Sequence, residues 1–102
     1  MSDYQLSKHA RKRMRQRLGL NAKACERAFE KACVLGLRRN GVGGRLQAYL
    51  DHLGCRYPGA DYLVTPMGIF AIKGNVVVTL LPLPVEHKKR VMTHWKKASG
   101  ET

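Results

Sequence analysis

Apolar positions follow two different periods along the chain, and the change falls near Asp61. Before it they recur at the spacing of a helix face; after it, short β-branched and aromatic runs take over. Ser7 is a good N-cap for a helix over Lys8–Leu18, which Gly19 should stop. Ala10, Met14 and Leu18 form its inward row. Asn21 caps a second helix over Ala22–Leu35, closed by Gly36, with Ala24, Cys25, Ala28, Phe29, Ala32 and Cys33 as its core stripe. Joined by so short a link, the two helices are expected to pack as a hairpin.

A glycine-rich link, Arg38-Arg39-Asn40-Gly41-Val42-Gly43-Gly44, follows. It lacks the Lys-Ser or Lys-Thr of a phosphate loop and no strand precedes it, so it reads as a flexible connection. Residues 45–53 predict a third, shorter helix with Leu46, Tyr49, Leu50 and Leu53 on one side, ended by Gly54 and Pro58-Gly59. Residues 62–65, 69–72 and 76–81 then read as strands, separated by Pro66-Met67-Gly68 and Lys73-Gly74-Asn75. Val76–Leu81 is apolar on both faces, which places it centrally in the sheet and beneath the helical hairpin. Beyond Pro82 and Pro84, residues 86–97 predict a terminal helix with Val91 and Trp95 inward and His87 and His94 at the surface. The expected architecture is one α+β domain over residues 1–102. It divides into a basic helical hairpin (1–36), a glycine-rich link with a short helix (37–60), a three- to four-stranded antiparallel sheet (61–84) and a basic terminal helix (85–102).

Charge changes the picture most. Nineteen Lys and Arg against seven Asp and Glu leave a formal +12 in 102 residues. Residues 1–45 hold twelve basic and three acidic side chains, residues 46–84 two of each, and residues 85–102 five against two. An excess so concentrated at the two ends points to a polyanionic partner, RNA or DNA above all. The longest apolar run, residues 76–83, falls far short of the roughly 20 residues that cross a bilayer. Lys8, Arg11, Lys12, Arg13, Arg15 and Arg17 occupy the place where a signal peptide needs an apolar stretch. A cytoplasmic protein without membrane partners is therefore expected. Cys25, Cys33 and Cys55 fit reduced thiols, and no Cys or His spacing suggests zinc, so neither metal nor cofactor is expected.

Candidate chemistry centres on the first helix. His9, Arg13 and Arg17 stand one turn apart, about 6 Å per step along the axis. Guanidiniums clamp phosphates, and an imidazole moves protons near neutral pH. A solvated basic face with an incidental histidine is the plainer alternative. Thr79, the only hydroxyl in its strand, either orients a phosphate or ribose beside that helix or simply bonds neighbouring backbone. Lys8, Lys12, Arg38, Arg39, Arg45 and Lys73 are the candidate nucleic-acid contacts, with Tyr57 and Tyr62 as weaker ones. Paired carboxylates, as a two-metal nuclease requires, are missing.

Three stretches resemble a family of small bacterial and phage proteins of mostly unknown function. They are Leu6-Ser7-Lys8-His9-Ala10-x-x-Arg13-Met14-x-x-Arg17-Leu18-Gly19-Leu20, Gly44-Arg45-Leu46-x-x-Tyr49-Leu50-Asp51, and Gly68-Ile69-Phe70 through Asn75-Val76-Val77-Val78-Thr79-Leu80-Leu81-Pro82-Leu83-Pro84. The pattern is similar to the His-Ala-x-x-Arg-Met-x-x-Arg toxins grouped with the barnase–EndoU–colicin–RelE-like ribonucleases. That resemblance implies metal-independent RNA cleavage through the ribose 2′-hydroxyl, with His9 as general acid or base, Arg13 and Arg17 as phosphate ligands and Thr79 as the hydroxyl of the last strand. An antitoxin or a host protein would then be a further partner. The alternative is a non-catalytic nucleic-acid-binding or phage inhibitory module acting on a host complex.

Overall fold

A computed structural model describes residues 4–38, 44–53 and 56–100. In chain order its elements are β1 (Gln5–Leu6), α1 (Lys8–Leu18), α2 (Ala22–Leu35), β2 (Leu37–Arg38), α3 (Gly44–Leu53), β3 (Asp61–Thr65), β4 (Gly68–Lys73), β5 (Val76–Leu81) and α4 (Val85–Ala98). Among the described residues the strands form one sheet in the order β1-β5-β4-β3-β2. The α+β class, the meander and the terminal helix match the sequence reading; the sheet itself differs from it. It has five strands rather than three or four, and it is mixed, because β1 runs parallel to β5 while every other pair is antiparallel. The two added strands are only two residues long, too short to show a hydrophobic period. Pairing with distant partners, Gln5 with Val76 and Leu37 with Val64, makes them strands. They also move the middle of the sheet from β5 to β4, whose residues 68–72 are buried on both faces.

The sheet separates two cores. On one face Leu63, Phe70, Ile72, Val77 and Leu80 meet Ala10 and Met14 of α1 and Cys25, Phe29 and Ala32 of α2. Phe29 sits edge-on between Tyr4 and Phe70, with ring centroids 5.6 and 5.1 Å away. On the other face Tyr62, Val64, Ile69 and Ala71 meet Leu46, Leu50 and Leu53 of α3 and Val91 of α4. The N-terminal helices share a face but are not a self-contained hairpin: α1 lies over β5 and α2 over β3, each seated mainly on the sheet. The glycine-rich link falls largely outside the described residues, Arg39 included.

Ser7 ties α1 to the sheet. Its Oγ accepts the Ala10 N–H at 3.0 Å as the N-cap and donates to the Val78 carbonyl at 3.1 Å. Val78 is the extra residue of a bulge, because Ala71 pairs with Thr79 while Ile72 pairs with Val77. The hydroxyl thus serves a helix start and an irregular strand at once. Ser7→Ala is expected to cost about 1–2 kcal/mol, lost cap plus under-bonded carbonyl, and to lower the Tm by about 5–10 °C in a thermal melt.

Candidate nucleic-acid interface

α1 holds six Lys and Arg and no acidic residue, and all six are exposed, as is His9. Ala10 and Met14, fully buried, fix its orientation. At about 100° per residue, the remaining positions divide into two flanks and a crest. Arg11 and Arg15 fall on the flank facing α2, where Arg11 Nη2 lies 3.5 Å from Glu26 Oε1. His9 and Arg13 fall on the opposite flank, with Arg17 a turn beyond Arg13. Lys8 and Lys12 fall between the flanks, on the outer crest.

This charge is unfavourable for the helix that carries it. Lys8–Lys12, Arg11–Arg15 and Arg13–Arg17 are like-charged pairs one turn apart, each costing about 0.2–0.5 kcal/mol. The first turn also lacks an acid to complement the helix dipole. Against this, the half-exposed Arg11–Glu26 pair returns well under about 1 kcal/mol. The helix therefore carries a small net cost for its charge, a cost that an anion bound along its outer surface would reduce.

Two cavities open beside Arg11. One of about 280 Å³ is lined by Arg11, Arg15, Asn21, Ala22 and Cys25. The other, about 420 Å³, lies among Tyr4, Gln5, Leu6, Arg11, Glu26, Phe29 and Glu30. Burial pushes the Cys25 thiol above its usual range, against the opposing pull of Arg15 and Arg11, and its Sγ lies 3.7 Å from the Leu20 carbonyl. A raised thiol pKa favours the protonated form, which is the less nucleophilic one.

The structure brings His9, Arg13 and Arg17 onto one open side of α1, and His9, Arg13 and Arg17 line neither of these cavities. Thr79 does not join them. It is 4% exposed and pairs with Ala71, which belongs to the core under α3 and α4. The sheet stands between this hydroxyl and α1. Simple alternation from Val77, which does face α1, would have carried Thr79 to the α1 side. The Val78 bulge shifts the alternation by one residue, so Leu80 takes that face and Thr79 the other.

Of the other candidate contacts, Lys8 and Lys12 share the α1 surface. Arg38 is exposed on β2, at the sheet edge farthest from β1 and β5, and Arg45 is exposed on α3 on the other face. Lys73 is exposed at the end of β4. Tyr62 is buried and Tyr57 half-buried, so neither presents an open ring to a base. Arg11 and Arg15 were absent from the expected contacts, although their one-turn spacing beside the Ala10–Met14 row marks them. His87, expected at the surface, is buried, its ring centroid 6.4 Å from that of Tyr49. The row His87, Val91, Trp95 on α4 already placed it inward.

Among the described residues no group of His, Cys, Asp and Glu is placed to hold a metal ion, and no helix is long and apolar enough to cross a membrane. Comparison of the chain with family models, with curated proteins and with solved structures found no match.

Proposed function

We propose that the protein binds RNA through the outer surface of α1. The observation that carries this reading is the weakly compensated charge of α1: six exposed cations, no acid within the helix and, among the described residues, one half-exposed ion pair to α2. Phosphates spaced along a polynucleotide neutralise such a row and release counterions, which makes the binding steeply salt-dependent. Site of action follows from the ligand, so a cytoplasmic location belongs to the same reading.

The second reading is a metal-independent endoribonuclease, favoured by the exposed imidazole of His9 on the side of α1 that holds Arg13 and Arg17, in a pattern that resembles the ribonuclease toxins. There His9 would take the proton of a ribose 2′-hydroxyl as its oxygen attacks phosphorus, and the departing 5′-oxygen would need a proton from elsewhere. Among the described residues the other histidines, His52, His87 and His94, lie on α3 and α4 rather than on α1, and Thr79 is turned away. Binding without cleavage is the better-supported reading. An antitoxin or host protein would compete with RNA for the same helix.

Anisotropy of a labelled single-stranded RNA, titrated at several salt concentrations, tests the proposal. Five phosphate contacts give a log–log slope near about −3.5. A flat salt response, or no binding at 0.15 M salt, overturns it. Prolonged incubation with end-labelled RNA in EDTA decides between the readings: intact RNA is expected. Fragments with 2′,3′-cyclic phosphate ends that vanish in His9→Ala would establish the nuclease instead.

A further inference from the structure

We infer that the protein carries a second cationic surface, on α4, and that one molecule joins two separate RNA helices. This inference rests on the RNA-binding reading and deepens it. α4 holds Lys88, Lys89, Arg90, Lys96 and Lys97 against a single acid, Glu86, and all five cations are exposed. Buried His87 and Val91 orient the helix, which puts Lys89 and Lys96 on its outer side, with Lys97 beside them. Val91 packs in the core with α3, on the sheet face opposite α1. At its far end α4 reaches α2, where the Lys31 ammonium lies 5.9 Å from the Trp95 ring centroid. That contact occupies the α2–β3 side of the molecule, whereas α1 lies over β5.

Size and stiffness set the two surfaces apart. The molecule measures 35 × 32 × 24 Å, and even its shortest dimension is several times the screening length of about 8 Å at physiological salt. RNA bound on α1 therefore leaves the α4 lysines unneutralised. A nucleic-acid duplex is also stiff over lengths on the order of hundreds of ångströms, so one short duplex cannot bend around a body this small to touch both sides. Two duplexes, one on each side, satisfy both surfaces.

The test uses two 20-base-pair RNA duplexes, one biotinylated on beads and one fluorescent, with the full chain as the limiting component. Wild-type protein is expected to retain the fluorescent duplex on the beads, and sedimentation to find one protein per two duplexes. The variant Lys89→Ala, Lys96→Ala, Lys97→Ala removes three contacts from the second surface, each worth roughly eightfold at 0.1 M salt for a duplex. It should bind a single duplex within about threefold of wild type, since α1 is untouched, yet lose capture by at least about tenfold. Circular dichroism checks that the variant stays folded. Binding of one duplex without capture, capture unchanged in the variant, or two proteins in each bridged complex would each overturn the inference while leaving RNA binding by α1 intact. Failure of the wild type to bind either duplex or single strand removes the RNA-binding reading itself.

Discussion

Replacing Lys8, Lys12 and Arg13 together with alanine is expected to weaken binding of single-stranded RNA by about 100-fold at 0.1 M salt. Each phosphate contact on a single strand contributes about 0.7 to the salt slope, so three lost contacts remove about two decades of affinity and flatten the slope by about 2. The same variant should be no less stable than wild type. All three side chains are exposed, and alanine is the best helix former. The changes also dissolve the Lys8–Lys12 and Arg13–Arg17 repulsions, each worth about 0.2–0.5 kcal/mol. A surface that serves folding would behave in the opposite way, losing stability with its charge. Anisotropy titrations paired with thermal melts separate the two cases: affinity falling while Tm holds or rises supports α1 as the interface. Unchanged affinity places the RNA elsewhere.

That helix was the most legible part of the chain because everything defining it is local. Ser7 and Gly19 bound it, and Ala10 and Met14 tell which side is buried, so the exposure of His9, Arg13 and Arg17 follows from spacing alone. Long-range pairing was not legible. Gln5 and Leu6 become a strand only because Val76 and Val77 lie alongside them, and two residues carry no period that could announce it. The mistaken expectation for Thr79 has a single cause of the same kind. A run of Val76-Val77-Val78-Thr79 gives no local sign that Val78 is the bulged residue; the register against Ala71 and Ile72 decides it, and the Ser7 hydroxyl completes the bond. One residue of slip is enough to move a hydroxyl from one core to the other. The placement that spacing gave correctly lies within a single helix, and the placement that failed needed two elements set relative to each other.

Gly68→Ala is expected to be the most damaging small substitution in the sheet, costing about 2–6 kcal/mol and lowering the Tm by about 15 °C or more. Gly68 opens β4 directly after the turn residues Pro66 and Met67, with φ at 145°, a conformation costly for any residue with a Cβ. An added Cβ would also stand 2.6 Å from the Leu81 carbonyl oxygen and 2.9 Å from Leu80 Cδ1. Neither neighbour can move away cheaply. Leu80 is 1% exposed in the core beneath α1 and α2, and Leu81 pairs with Ile69. The turn itself is held by the buried Thr65 hydroxyl, which donates to the Gly68 carbonyl at 2.9 Å and accepts the Met67 N–H at 3.1 Å, so shifting the backbone at Gly68 breaks that bond too. Gly74 supplies the control: its φ of 60° is also unfavourable for alanine, but nothing lies within 4 Å of its Cβ position. Gly74→Ala should therefore show only the backbone penalty, about 1 kcal/mol. Urea denaturation of both variants measures the difference. Equal losses would mean that the close approach of β4 to β5 at Leu80 and Leu81 is not what demands glycine at position 68.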